Sequence, residues 1–143
     1  MEKKLKHLEM LQAVISRMAN NSFRLKGWNV VLVSAIFVLA SSESKSQIVC
    51  LAYLPTAVFW LLDGYFLRQE RLFRKLYDKV RVMGEDDIDF SMNTMPIDKD
   101  VASWLRAAVS RTLLLFHGAI TLTVTAAWLV PMVLRCIDAQ GKS

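Results

Sequence analysis

One acidic residue lies inside a long apolar stretch, and it is the first candidate for chemistry in this sequence. Asp63 interrupts the run from Ile48 to Leu67, IVCLAYLPTAVFWLLDGYFL, which is otherwise uncharged. A carboxylate placed in hydrocarbon costs roughly 3 kcal/mol, so such a group normally faces other helices and has a partner there. The sequence therefore predicts a buried partner for Asp63.

His117 is one candidate partner, because it lies in another apolar run at a comparable depth. Asp63 and His117 stand similar distances from Arg68 and Arg111, the cations that end their respective runs. Alternatively, Asp63 reaches the membrane interface and pairs with Arg68 or Arg71 of its own or a neighbouring chain. Both interpretations stay open on the sequence alone.

Hydroxyl side chains lie on the same run as His117. Thr121 and Thr125 are one turn apart and share a helix face, with small residues around them that allow close helix approach. They line a narrow polar path or a subunit contact, or else they bond back to carbonyls of their own helix. The candidate pore or gate residues are Asp63, His117, Thr121 and Thr125.

Cationic side chains form the second set of candidate functional residues. The candidate ligand-binding residues are Arg17, Arg24, Lys26, Arg68, Arg71, Arg74, Lys75 and Arg81. Such residues set membrane topology and bind lipid headgroups. In a symmetric oligomer they would also form a ring for an anionic ligand such as a cyclic nucleotide or a single-stranded oligonucleotide, with nearby aromatic residues for base stacking.

Three apolar runs must position these residues. The chain of 143 residues is 54% hydrophobic, and a helix of about 20 apolar residues crosses a bilayer. The runs are Gly27 to Ala40, Ile48 to Leu67 and Thr112 to Leu134. The predicted fold class is an all-α membrane protein with a transmembrane hairpin, a third span, an amphipathic N-terminal helix, and long second and third helices that extend into the cytosol.

The predicted organisation has five segments in one chain. They are an amphipathic helix over 1–26, the transmembrane hairpin over 27–67, a cytosolic helical extension over 68–111 with an acidic loop at 84–100, the third span over 112–135, and a short tail over 136–143.

Within the cytosolic extension, helical spacing predicts that the second helix continues unbroken to about Met83. We expect Asp98 or Asp100 to cap a helix that runs straight into the third span. Its return would bury Leu72, Leu76 and Val80 against Trp104 and Leu105.

The cation distribution predicts the orientation. Fifteen of the eighteen Lys and Arg residues flank the spans on one side, and such residues collect in the cytoplasm. The N-terminus is therefore expected to be cytoplasmic. Cys50 and Cys136 then lie near the outer face, where we expect small apolar thiols in preference to a disulfide.

Signatures of catalysis are missing from the sequence. There is no phosphate-binding glycine loop and no HExxH motif, and the two histidines are 110 residues apart. The acidic loop lacks the glycine and glutamate positions of an EF-hand. We therefore expect a protein that is not an enzyme and has no cofactor or bound metal.

Two stretches resemble a known group of proteins. NNSFRLKGWNVVLVSA (20–35) and VFWLLDGYFLRQERLFRKLYDKVR (58–81) resemble small bacterial membrane proteins encoded beside nucleotidyltransferases in anti-phage defence operons, above all effectors of the Hailong type. The resemblance implies a multimeric inner-membrane channel that a DNA oligomer holds closed, and it implies a nucleotidyltransferase as partner. It also implies that the basic residues hold the oligonucleotide and that Asp63 belongs to the gate. A recognised nucleotide pocket is missing, which leaves the ligand open.

The favoured function is a homo-oligomeric inner-membrane channel, of about four copies, that acts as an anti-phage effector. An anionic nucleotide or oligonucleotide on the cytosolic surface would gate it. Oligomerisation is required because three spans cannot enclose a pore alone. The alternative is a non-conducting adaptor that docks a cytosolic partner protein, and a third option is a small transporter subunit of the drug-efflux kind.

Overall fold

The computed structural model describes residues 2–42 and 46–140, and within these ranges the chain forms helices and no strand. The α-helices are α1 (Glu2–Ser42), α2 (Tyr53–Val82), α3 (Trp104–Ala108) and α4 (Arg111–Gln140), with 3-10 helices at Ser46–Ala52 and Met95–Asp100. Windows of α1, of α2 with the preceding turn, and of α4 are long and apolar enough to cross a membrane. The predicted all-α membrane fold is confirmed.

Helix α1 joins the N-terminal amphipathic segment and the first span in one rod. It contains 41 residues, which gives a length of about 60 Å at 1.5 Å per residue. No proline interrupts it, and Gly27 is accommodated inside it. The amphipathic segment over 2–26 is therefore directly continuous with the first span.

Helix α2 also passes from the apolar region into the basic region without a break. Its 30 residues include Asp63 and Gly64 in helical conformation, and it ends where Met83 adopts an extended backbone with ψ 153°. The prediction that this helix continues to about Met83 is confirmed. Helices α1 and α2 run antiparallel, because Lys4 contacts Met83 at one end of the pair and Asn29 contacts Thr56 near the other.

One core lies between these two rods, in the basic half of the molecule. Leu11 of α1 packs in one cluster with Leu76 and Val80 of α2 and with Ile97 from the connecting segment. The predicted packing of Trp104 and Leu105 on this face of α2 is wrong. Leu105 is exposed, and Trp104 lies further along α2, where its Nε1 donates to the carbonyl oxygen of Leu61. The short connection between α1 and α2 lays α1 along α2, so the apolar face of α1 reaches these residues first.

The segment before the third span is irregular where one continuous helix was expected. A 3-10 helix with Pro96 at its start is followed by the five-residue α3, and α4 begins only at Arg111. One physical reason lies at Ala108, whose carbonyl oxygen accepts a hydrogen bond of 2.8 Å from Trp60 Nε1. This carbonyl oxygen accepts from Trp60 in place of a backbone N–H group of a continuing helix. The chain bends at Ala108 and lies on α2.

The same segment corrects the predicted helix cap. Asp98 forms an ion pair with Arg68, with 2.7 Å between Oδ1 and Nη2, and it caps no helix. The residue before α3 is Ser103, whose side chain makes no capping hydrogen bond.

A second core lies within the apolar half of the molecule. Val33 and Ala40 of α1, Val49 and Ala52 of the first 3-10 helix, and Val124 of α4 form this cluster. The outward faces of the same helices carry many exposed apolar side chains, as expected for helices that meet lipid. Cys50 and Cys136 are free thiols.

Gly64 generates a test of how α3 is held. A Cβ atom added there would lie 2.9 Å from Ala108 Cβ and 3.0 Å from Ala108 Cα. We expect Gly64→Ala to lower the free energy of unfolding by about 1–3 kcal/mol, as overpacking does elsewhere. Circular dichroism of detergent-solubilised protein during titration with a denaturing detergent measures this loss.

Gly118→Ala is the matched control. No atom of the described residues outside its own helix backbone lies within 4 Å of its added Cβ, and alanine favours helix over glycine by about 1 kcal/mol. Equal destabilisation by the two substitutions would contradict the close approach of α3 to α2.

Candidate functional site

Asp63 is fully buried and contacts side chains from two other helices. His117 Nε2 of α4 lies 3.0 Å from Asp63 Oδ2, and Lys26 Nζ of α1 lies 2.5 Å from the same oxygen. Ser22 Oγ of α1 donates a hydrogen bond of 2.5 Å to Asp63 Oδ1. The predicted contact between Asp63 and His117 is confirmed.

The alternative partners of Asp63 lie elsewhere. Arg68 donates through Nη2 to Asp98 and through Nε to the carbonyl oxygen of Ala102, and Arg71 lines a surface cavity. The cation beside Asp63 is instead Lys26, which we had placed in the ligand set. Two features of the sequence could have identified α1 as the source of partners for Asp63. Lys26 is the last cation before the first span, and Ser22 occupies a position on the apolar face of the N-terminal helix.

Further polar residues orient His117. Asn29 Nδ2 lies 3.3 Å from His117 Nδ1, and Thr56 Oγ1 donates to Asn29 Oδ1 at 3.4 Å. The ring of Trp60 stacks on the imidazole, with centroids 5.6 Å apart and an angle of 9°. When Nδ1 accepts from Asn29, the ring proton is on Nε2 and is donated to Asp63.

We name these residues, Ser22, Lys26, Asn29, Asp63 and His117, the ion cluster. With a neutral imidazole it holds one positive and one negative charge, and this balance fits its burial. The side chains of Asp63 and His117 are 0% exposed. The contacts of the ion cluster hold α1, α2 and α4 together.

The threonines of α4 form hydrogen bonds inside the protomer. Thr121 Oγ1 donates to the carbonyl oxygen of His117, and Thr125 Oγ1 to that of Thr121, both at 2.8 Å. Tyr53 Oη also lies 2.6 Å from Thr125 Oγ1. The expected alternative of bonding within the helix is therefore present, and the role of these residues in a pore or gate stays a prediction.

The remaining candidate ligand-binding residues divide into separate environments. Arg71, Arg74 and Lys75 line one surface cavity of about 280 Å³, together with Asp78, Asp100, Val101 and Ala102. Arg74 also donates to Glu70 Oε1 at 2.8 Å. Outside the cavity, Arg81 lies 4.0 Å from Asp78.

On α1, Arg17 and Arg24 are exposed, whereas Lys26 belongs to the ion cluster. The structure thus brings three of the eight cations together in one concave site. Among the described residues there is no group of three or more His, Cys, Asp or Glu side chains that could hold a metal ion.

No protein family model, no curated protein and no solved structure matches this chain. Its class is defined by the fold, an all-α membrane protein with three helices that can cross a bilayer.

The ion cluster predicts strong coupling between Lys26 and Asp63. Asp63→Asn leaves a mostly buried ammonium without its counter-charge, which destabilises proteins by about 3–5 kcal/mol. Lys26→Met in the Asp63→Asn background should recover part of that loss, because no buried charge is then left. A double-mutant cycle of unfolding free energies measures the coupling. His117→Ala combined with Asp63→Asn should likewise give a non-additive loss.

Arg74→Gln is the control for this cycle, because it removes a solvent-exposed ion pair. Such pairs contribute at most about 1 kcal/mol. Strictly additive losses for Lys26 and Asp63 would show that the two side chains do not interact in the folded protein.

Proposed function

We propose that the protein is a homo-oligomeric membrane channel controlled from its cytosolic side. The observation that carries the proposal is the continuity of α1 and α2 across the inner boundary, where the ion cluster fastens both helices to α4. Because helices are stiff rods, a displacement of the cytosolic α1–α2 pair moves the attached spans. The protomer thus has the parts of a lever.

The conducting path has to lie between copies of the chain. Among the described residues, apolar side chains such as Val33 and Val124 fill the space between the three helices. The polar side chains Asp63, His117 and Thr125 make their hydrogen bonds within the protomer. A symmetric ring of protomers supplies a central axis that one protomer lacks.

The cavity lined by Arg71, Arg74 and Lys75 is the proposed ligand site. Its volume of about 280 Å³ is near the lower limit for small-molecule sites. The lining holds three cations and two carboxylates, Asp78 and Asp100. The excess positive charge favours an anionic group, and a phosphate of a nucleotide or single-stranded oligonucleotide fits this chemistry. Because the cations are on α2, a bound ligand can displace α2 and the span that is continuous with it.

The resemblance of residues 20–35 and 58–81 adds a cellular role to the proposal. It supports an effector of bacterial anti-phage defence in the inner membrane, with a cytoplasmic N-terminus and a nucleotidyltransferase as partner. Expression at high level would then depolarise cells, which a membrane-potential dye reports.

Ion flux tests the channel directly. We expect purified protein in liposomes to conduct ions, and the flux to change when a nucleotide or oligonucleotide is added. A fluorescent ion indicator inside the liposomes provides the measurement. Intact oligomers that pass no ions in any ligand condition would contradict the channel.

Salt dependence tests the ligand site. Binding through cations to phosphates weakens as salt rises, with a slope of about 0.7 per contact in a double-logarithmic plot for single strands. Replacing Arg71, Arg74 and Lys75 by Gln should weaken binding of a fluorescent oligonucleotide and flatten that slope.

The matched control removes the same charge outside the cavity, at Lys99, Arg106 and Arg111. It should leave most of the affinity. An affinity independent of salt, or an equal loss in both triple variants, would contradict an anion site in the cavity.

A second candidate function is the non-conducting adaptor. Val82 is 78% exposed and Met95 is 82% exposed, and both belong to the cytosolic part, where lipid does not cover them. Exposed apolar side chains of this kind favour a protein partner. Absence of flux together with a stoichiometric complex with a cytosolic protein would favour this function.

A further inference from the structure

A second cavity, of about 280 Å³, lies between α1, α2 and the segment that follows α2. It shares no lining residue with the cavity of Arg71, Arg74 and Lys75, so it is a separate site. Helix α1 contributes His7 to its lining, and we name it the His7 cavity.

His7 has a buried ring nitrogen without a partner. The residue is 1% exposed, and its Nε2 lies 3.1 Å from the carbonyl oxygen of Ser91. A carbonyl oxygen can only accept, so Nε2 carries a proton, and in the neutral imidazole Nδ1 keeps a free lone pair. Nδ1 has no hydrogen-bond partner among the described residues. Because buried polar atoms are normally hydrogen-bonded, this lone pair calls for a donor, and the cavity beside the ring has room for one.

Further acceptors belong to the segment 89–93, which forms another wall of the His7 cavity. Asp89 Oδ1 accepts from the backbone N–H of Ser91 at 2.9 Å, and Ser91 Oγ accepts from that of Asn93 at 3.3 Å. Asn93 Oδ1 accepts from the N–H of Met95 at 3.0 Å. These bonds fix the three side chains, and each oxygen keeps a lone pair for a further donor. This wall therefore offers acceptors and one negative charge.

Phe90 holds the same wall against His7. Its φ of 56° lies in the left-handed region, which a bulky residue rarely adopts. The ring of Phe90 lies 5.6 Å from the imidazole of His7, measured between centroids, and the next residue, Ser91, accepts from that imidazole. A strained residue persists where its surroundings determine its conformation. The two contacts with His7 therefore set the backbone that presents Asp89 and Ser91.

The wall formed by α2 carries the opposite charge. Lys79 lines the cavity and is exposed. Lys79 and Asp89 are the charged residues of the lining, and within the described part of the chain they form no ion pair with each other. A purely cationic ligand is repelled by Lys79 and a purely anionic one by Asp89. A ligand with both charges complements both side chains.

We propose that the His7 cavity binds a small zwitterion, an apolar α-amino acid. The ammonium group of the ligand donates to His7 Nδ1 and to the carboxylate of Asp89, and its carboxylate pairs with Lys79. Its side chain contacts the apolar part of the lining, which is Leu76, Val80, Met83 and Pro96. The cavity volume, near the lower limit for small-molecule sites, suits a ligand of this size. The site goes beyond the proposed function, because it requires neither a channel nor the cavity of Arg71.

Histidine NMR tests whether a ligand reaches Nδ1. The chain has two histidines, His7 and His117, so histidine-selective nitrogen labelling of the full chain in detergent gives two sets of ring signals. The variant His7→Gln assigns them by removing one set. We expect free leucine, methionine or phenylalanine to shift the Nδ1 signal of His7 in a saturable manner. His117 Nδ1 faces Asn29 inside the protomer, so its signal should stay unchanged and serves as the internal control.

Two analogues of leucine test the class of ligand. Leucinamide lacks the carboxylate, and N-acetylleucine lacks the ammonium group. We expect each to bind about tenfold more weakly than leucine, because each loses a hydrogen bond between charged groups. An analogue that binds as tightly as leucine would overturn the zwitterion.

Two exposed residues of the lining supply variants that leave the buried core untouched. Asp89→Asn keeps an oxygen for the N–H of Ser91 but removes the charge, and Lys79→Gln removes the ammonium group. Each should weaken the binding of leucine about tenfold in isothermal titration calorimetry. The matched controls, Asp86→Asn and Lys99→Gln, remove the same charges from exposed residues outside the cavity and should bind leucine as the native chain does.

The remaining outcomes separate a ligand site from a solvent-filled cavity. An Nδ1 signal of His7 that is hydrogen-bonded without ligand, and that none of the three amino acids moves, would show that water alone satisfies it. No saturable binding in calorimetry, or equal losses in the lining variants and their controls, would also overturn the proposal. None of these measurements uses ion flux. Failure of the amino-acid site therefore leaves the channel proposal standing, and absence of flux leaves the amino-acid site standing.

Discussion

The need to neutralise one carboxylate inside hydrocarbon underlies the whole arrangement. Asp63 cannot be left uncompensated in the bilayer, and the nearest groups that stabilise its charge are on other helices. Lys26 and Ser22 bring α1 to it, and His117 brings α4. One buried group therefore sets both the mutual depth and the rotation of all three spans.

The position of this cluster matters as much as its composition. It lies where the helices pass from lipid to water, and both α1 and α2 continue beyond it as unbroken rods. Leu11 packs against Leu76 and Val80 further out, so α1 and α2 are joined at two places along their length.

The outward faces differ in character from the inward ones. Inside, Asp63 is paired with Lys26 and His117, and apolar groups pack around Val33 and Val124. Outside, α1 presents small residues, among them Gly27, and α4 presents leucines such as Leu122. Since lipid tails are as apolar as leucine, helix association in a membrane depends on how closely surfaces fit.

By itself, the sequence determined the helical class, the candidate spans and the length of α2, because apolar run length and helical spacing are properties of a linear pattern. It placed Asp63 and His117 at a similar depth and left the choice between His117 and a nearby arginine open. The tertiary structure decided which faces meet. Lys26 joined Asp63, α1 covered Leu76, and the chain bent at Ala108, because each depends on how rods from distant parts of the chain rotate and compete for one surface. Short-range spacing does not contain that information.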